Sequence, residues 1–248
     1  MLSSLRRWIA GMKPRGLDAT TWAAYDAAVP EEESRAIGAF VEEFVRRRAP
    51  ALVWDLGCNA GRYCEVALGA GAGYAVGIDS DPGALDRAFA RARDRQVSLL
   101  PLLMDVVNPS PSQGWRGQER ESFVARGRPD ALLAIAVVHH IAIARNVPLD
   151  EIVGLLTTLA PEGVVGFVPH TDNRARALFK GREDIFRDYT LENFLSLLRT
   201  RARIVRQEQL PVAGGLQGSV AGDLQGSVAG GLQASGDSGR VLIEFSTR

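Results

Sequence analysis

Short apolar segments alternate with amphipathic segments along most of the chain. The apolar segments are rich in Val, Ile, Leu and Ala and are too short for buried helices, so each is typical of a strand. We predict these strands at 51–57, 74–79, 97–105, 130–138 and 163–170. The amphipathic segments repeat their apolar residues at helical spacing and predict helices at 31–49, 61–70, 82–95, 148–159 and 190–201.

Strands separated by helices indicate a mostly parallel sheet with helices on both faces, that is, a doubly wound α/β fold. Pro101 lies inside the third strand, where it cannot donate to a neighbouring strand, so we place that strand at an edge or a bulge. The last two apolar segments, 202–211 and 240–248, predict an antiparallel pair at the other edge.

The first 30 residues do not fit the strand–helix alternation. They contain short apolar segments interrupted by Pro and Gly, and we predict a helical arm over 1–30 before a main domain at 31–248. Trp22 and Tyr25 in this arm would either close over a ligand as a lid or simply dock the arm on the domain.

Three near-copies of an eight-residue motif lie between the last two strands, at 212–219, 220–227 and 228–235. Short repeats can stack into a solenoid, but three glycine-rich copies between two strands do not favour one. We predict a flexible loop at 212–239 that carries no chemistry, because loop-closure entropy rises only slowly with length.

Composition narrows the choice of partners. Lys plus Arg and Asp plus Glu both number 29, so global charge favours neither nucleic acid nor an anionic membrane. Cys58 and Cys64 lack the further Cys and His residues of a zinc site and are interpreted as small buried side chains. We therefore expect no metal, no membrane partner and a cytoplasmic, reducing location.

The segment "VWDLGCNAGRY" at 53–63 carries the first candidate chemistry. Asp55 ends a strand, and Gly57 and Gly61 bracket a turn in which the backbone can approach a ligand closely. The dinucleotide motif G-x-G-x-x-G would need glycine at Asn59 and Arg62 as well. A diphosphate ligand is therefore disfavoured, the more so because the nearby carboxylate repels phosphate.

Two further acids end the next two strands. Asp79 follows "VGI" and can accept hydrogen bonds from a ribose diol, although it could instead cap the next helix, a role for which Asp81 is better placed. Asp105 follows Met104 and can accept from an exocyclic adenine amine. Acids at three strand ends beside a glycine turn indicate an adenosine with a zwitterionic tail, which S-adenosylmethionine fits.

Four segments in this order resemble a class I S-adenosylmethionine-dependent methyltransferase: "VWDLGCNAGRY", "VGIDSDPGALDRA", "LLMDVVNPSPSQGW" and "ALLAIAVVHHI". More narrowly, "NPSPSQGW", "VVHHIAI", "NVPL" and "REDIFRDYTLENF" are similar to a bacterial group of nodulation-protein-like methyltransferases. The resemblance implies a Rossmann-like, seven-stranded sheet in the order 3-2-1-4-5-7-6. It also implies methyl transfer from S-adenosylmethionine to an oxygen or nitrogen nucleophile.

The resemblance assigns cofactor roles to the matching positions. Asp55, Gly57, Asn59 and Gly61 would form the turn around the methionine group, with Asn59 standing where many relatives have glycine. The remaining positions would bind the ribose and the adenine: Asp79, Ser80, Met104 and Asp105.

The acceptor side of the site is less defined by the sequence. His139 and His140 follow the fourth strand, where a histidine could remove a proton from the acceptor, and His139 is slightly favoured. Both rings could equally serve to pack on the cofactor or bond the backbone. Trp115, in the long 108–123 segment, would line the acceptor pocket or anchor its loop. We expect a small-molecule acceptor; the alternative is a binding or regulatory module without turnover.

Overall fold

A computed structural model gives the structure of most of the chain. It describes residues 2–12, 16–17, 20, 22, 29–172, 175, 178–179, 182–210 and 239–247. Tyr25 and all three repeat copies at 212–235 lie outside the described residues.

Seven strands form one sheet. They are β1 (Leu52–Leu56), β2 (Tyr74–Asp79), β3 (Leu99–Leu103), β4 (Ala131–Ala134), β5 (Glu162–Phe167), β6 (Arg203–Gln209) and β7 (Val241–Ser246). Their order is β3-β2-β1-β4-β5-β7-β6. β1 to β5 are parallel, and β7 runs antiparallel to both β5 and β6. The predicted order is confirmed, and β3 lies at an edge, where Pro101 is tolerated.

Helices cover both faces of this sheet. The α-helices described over their whole length are α1 (Leu2–Ala10), α2 (Glu31–Arg48), α3 (Arg62–Gly69), α4 (Pro82–Arg95), α5 (Leu149–Leu159) and α6 (Leu191–Arg201). Because strand side chains alternate in direction, Val53 packs with α2 on one face and Trp54 packs with α5 and α6 on the other. Within the residues that the structure describes, no helix is long and apolar enough to cross a membrane.

The fourth strand is shorter than its apolar pattern predicts. β4 ends at Ala134, and the chain then bends and forms a π-helical turn at His140–Ala144. Ile135 and Val138 are buried although they have left the sheet, which explains why the apolar pattern extended the predicted strand. The bend carries the two adjacent histidines away from the strand direction.

The 108–123 segment crosses the surface after β3. Gln113 and Arg120 form an isolated antiparallel bridge, and a 3-10 turn covers Trp115–Gly117. The Trp115 side chain is 77% exposed, so it does not anchor this loop in the core.

Candidate active site

The glycine turn after β1 is held in shape by the neighbouring strand. Gly57 has φ 73°, and a Cβ there would lie 3.2 Å from the Val137 Cβ, so a side chain would be both strained and crowded. The backbone N–H groups of Gly57 and Cys58 donate to the Ile78 carbonyl at 2.8 and 3.1 Å. Asn59 has φ 49°, in the left-handed region that Asn tolerates, so the turn needs no glycine there.

A cleft of about 320 Å³ opens beside this turn. Its volume is within the range of small-molecule sites. Parallel strands end on the same edge of the sheet, and β1, β2 and β3 together place predicted cofactor residues on the cleft wall. The predicted residues that line it are Gly57, Asn59, Asp79, Ser80, Met104 and Asp105.

Asp79 links the turn to the start of α4. Its carboxylate accepts the backbone N–H of Asn59 at 2.8 Å and that of Asp81 at 2.9 Å. Burial raises the pKa of Asp79, while these backbone donors act in the opposite direction. Each carboxylate oxygen has a second lone pair, so Asp79 retains the capacity to accept from hydroxyl groups of a ligand.

The far end of the cleft contains an ion pair. Asp105 accepts hydrogen bonds from the Arg145 guanidinium and from the Val107 backbone N–H, the latter at 3.0 Å. The Met104 N–H donates to the Asp79 carbonyl at 2.8 Å, which fixes the backbone between the two acids. Among the described residues of the cleft wall, Arg145 is the single cation, and its pairing with Asp105 leaves the wall poorly suited to a diphosphate.

Asp55 and Gly61 flank the turn but are not among the residues that line the cleft. Asp55 is 1% exposed, and the Cys64 thiol donates to its Oδ2 at 3.4 Å. Burial raises the pKa of Asp55 to about 7. Gly61 is the N-cap residue of α3 and has φ 78°. Cys58 and Cys64 are buried and free, as predicted.

The two histidines are neighbours, but they differ in their exposure to the cleft. His140 lines the cleft, whereas His139 is 3% exposed and lies beside it at 4.1 Å between ring centroids. The slight preference for His139 drawn from the sequence is not supported by this position. Burial, followed by the positive charge of Arg240, lowers the pKa of His140 and thus favours its neutral imidazole.

Trp22, from the arm, also lines the cleft. Its backbone N–H donates to Asp81 Oδ2 at 2.8 Å, and its carbonyl accepts from Asn59 Nδ2 at 2.9 Å. The Trp22 ring lies edge-on to His140 at 4.8 Å. The Thr20 hydroxyl donates to Asp81 Oδ1 at 2.6 Å, and Asp81 also caps α4, as predicted. The arm is therefore attached to the domain at the cleft.

The chain is similar in sequence to a known nodulation protein. No family model matches the chain. The chain is 45% identical over 213 residues to Nodulation protein NoeA of Rhizobium meliloti strain 1021, a match that covers 85% of this chain and 45% of NoeA. The chain thus spans less than half the length of that relative.

Solved structures share the architecture. N-methyltransferase NodS from Bradyrhizobium japonicum WM9, in complex with S-adenosyl-L-homocysteine, has a TM-score of 0.52 at 18% identity, covering 98% of this chain and 96% of NodS. The chain has a methyltransferase fold. Magnesium protoporphyrin IX methyltransferase from Synechocystis PCC 6803, with bound S-adenosyl-L-homocysteine, has a TM-score of 0.56 at 15% identity, covering 87% and 83%. The methyltransferase fold and the relation to a nodulation protein confirm the predicted resemblance.

Proposed function

We propose that the protein transfers a methyl group from S-adenosylmethionine to an oxygen or nitrogen nucleophile of a small molecule. The observation that carries the proposal is the convergence of Asp79, Asp105 and the Gly57 turn on one cleft. The similarity to NodS and to the Synechocystis enzyme supports it, because both were solved with S-adenosyl-L-homocysteine bound.

The lining residues fit this cofactor. Asp79 would accept from the ribose hydroxyls, Met104 and Asp105 would contact the adenine, and the turn at Gly57 would face the methionine group. An acidic strand edge favours a ligand with an ammonium and a sulfonium group over a diphosphate. When bound, S-adenosylmethionine supplies an electrophilic methyl group.

His140 is the residue placed to move a proton. Its neutral imidazole lines the cleft and can accept the proton that an acceptor hydroxyl or amine releases. Trp22 packs against this ring and would exclude water on the arm side of the cleft.

The proposal extends to the division of the chain into domains and to its location. We assign residues 31–248 to the methyltransferase domain and 1–30 to an accessory arm. We also propose a cytoplasmic location, which the free thiols of Cys58 and Cys64 support because a reducing compartment preserves them.

A methyl-transfer assay tests the function. The protein is incubated with radiolabelled S-adenosylmethionine and fractions of native lysate, and we expect label in a small-molecule fraction. We expect His140→Gln to slow transfer by about 100-fold or more while leaving S-adenosyl-L-homocysteine affinity unchanged. Binding without transfer to any fraction would favour the non-catalytic alternative. Absence of both binding and transfer would refute the proposal.

A further inference from the structure

Helix α1 exposes an entire apolar side. Four of its residues, Leu2, Leu5, Trp8 and Ile9, fall within an arc of about 120° at 100° per residue. Their side chains are 50% to 84% exposed, and α1 has no buried residue. An apolar stripe of this kind normally packs against another surface.

The charged side chains in α1 and in the sequence that follows it are all basic as far as Arg15. Arg6 and Arg7 lie within the helix, Lys13 and Arg15 follow it in the sequence, and the first acidic residue is Asp18. The balanced charge of the whole chain conceals this local excess. A surface that receives α1 must therefore accept apolar side chains and be negatively charged.

The length of α1 gives a third constraint. A nine-residue helix without a packed face is only marginally stable in water. Trp8 has an amphipathic ring of the kind enriched at the boundary between acyl chains and lipid headgroups. A lipid surface would stabilise the helix through both its apolar and its basic sides.

We propose that α1 lies in the surface of a membrane that contains anionic lipids, with Leu5, Trp8 and Ile9 facing the acyl chains. A nucleic acid would pair with the arginines but leave the apolar stripe in water. Pairing with α1 of a second copy would bring two sets of positive charge together and be disfavoured. This peripheral contact departs from the expectation of no membrane partner, which rested on the balanced global charge.

Vesicle sedimentation of the full chain tests this inference. We expect binding to phosphatidylcholine vesicles with roughly 30% phosphatidylglycerol to be at least about tenfold tighter than to phosphatidylcholine alone, and to weaken as salt is added. Leu5→Glu with Ile9→Glu should reduce that binding at least about tenfold more than the matched control, Ser3→Glu with Ser4→Glu. The control changes net charge equally but spares the apolar side.

Three outcomes would overturn the inference: equal binding to neutral and anionic vesicles, equal losses in the two double variants, or a response of α1 only to nucleic acid or to self-association. Thermal unfolding of both variants checks that they remain folded. The inference does not depend on the proposed function, so its failure would leave the methyltransferase proposal standing.

Discussion

Asp79 is the side chain on which the proposed cofactor site depends most. It ends β2, accepts hydrogen bonds from the backbone of the glycine turn and of the segment before α4, and lines the cleft. Its partners are backbone N–H groups, so its position does not depend on the rotamer of another side chain.

We therefore expect Asp79→Asn to weaken S-adenosyl-L-homocysteine binding by more than tenfold. A hydrogen bond to a charged group contributes about 1.5–3 kcal/mol, and the amide cannot replace it fully. Isothermal titration calorimetry measures the loss, and Asp86→Asn, an exposed carboxylate on α4, is the control. Unchanged affinity in a folded Asp79→Asn variant would remove Asp79 from the ribose role.

Asp55 makes stability depend on pH. Its folded pKa is about 7, whereas an unfolded Asp has a pKa of about 3.9, so the folded state holds more protons between these values. The stability contributed by the protonated carboxyl is fully present below about pH 4 and is lost as pH rises through about 7.

Asp55→Asn removes this titration at nearly constant size. We expect its free energy of unfolding, relative to the wild type, to rise by about 3 kcal/mol between pH 5 and pH 8. Urea unfolding at several pH values measures this difference. Asp86→Asn, the same change at an exposed carboxylate, is the matched control. A flat series for Asp55→Asn would mean that the buried carboxyl does not titrate in this range.

Among the secondary-structure elements, the arm and the start of α4 are joined through the carboxylate of Asp81. Asp81 caps α4 and accepts the Thr20 hydroxyl and the Trp22 N–H, so the contact that starts the helix also holds the arm. Burial alone would raise the pKa of Asp81, but the hydrogen-bond donors around its carboxylate outweigh burial and lower the pKa. Opening of the arm would expose Trp22 and the cleft together.

Thr20→Val should loosen the arm without uncapping α4. We expect S-adenosyl-L-homocysteine to dissociate about three- to tenfold faster, since one hydrogen bond to a charged acceptor is lost. Stopped-flow displacement gives the rate. Thr200→Val is the matched control, because the Thr200 hydroxyl bonds only its own helix at Leu197. Equal rates in the two variants would contradict a lid role for the arm.

The sequence predicted the order of the sheet and placed Asp79 and Asp105 at the strand ends that line the cleft, but it missed two contacts of the cleft wall. The position of Asp79 could be predicted because the apolar pattern of a strand ends at this residue. Trp22 bonds Asn59 across 37 positions and Arg145 bonds Asp105 across 40, and no local periodicity reports such pairs. The π-helical turn at His140–Ala144 could not be predicted because the residues between β4 and the turn have the apolar composition of a strand.

In the molecule as a whole, β6 and β7 form an antiparallel hairpin at one edge of the sheet. Gln209 pairs with Val241, and the Leu210 N–H donates to the Arg240 carbonyl at 2.7 Å. Arg240 is further held by Glu33 at 2.7 Å and by Asp172 at 2.9 Å. The two chain ends that flank the repeat segment are therefore close together and fixed by their own contacts.

Removal of residues 214–237 should leave a loop of ordinary hairpin length. We expect the thermal midpoint to change by no more than about 3 °C, because a shorter loop alters closure entropy only slightly. Differential scanning calorimetry of the shortened chain measures this. Loss of a cooperative transition would show that the repeat segment contributes to the fold.

We infer that the cleft beside Gly57 binds a sulfonium nucleoside rather than a dinucleotide. Calorimetric titration of the 248-residue chain with S-adenosyl-L-homocysteine and, separately, with NAD distinguishes the two. We expect one saturable site for S-adenosyl-L-homocysteine that Asp79→Asn weakens, and no binding of NAD at the same concentrations. Saturable binding of NAD, with none of S-adenosyl-L-homocysteine, would overturn this inference.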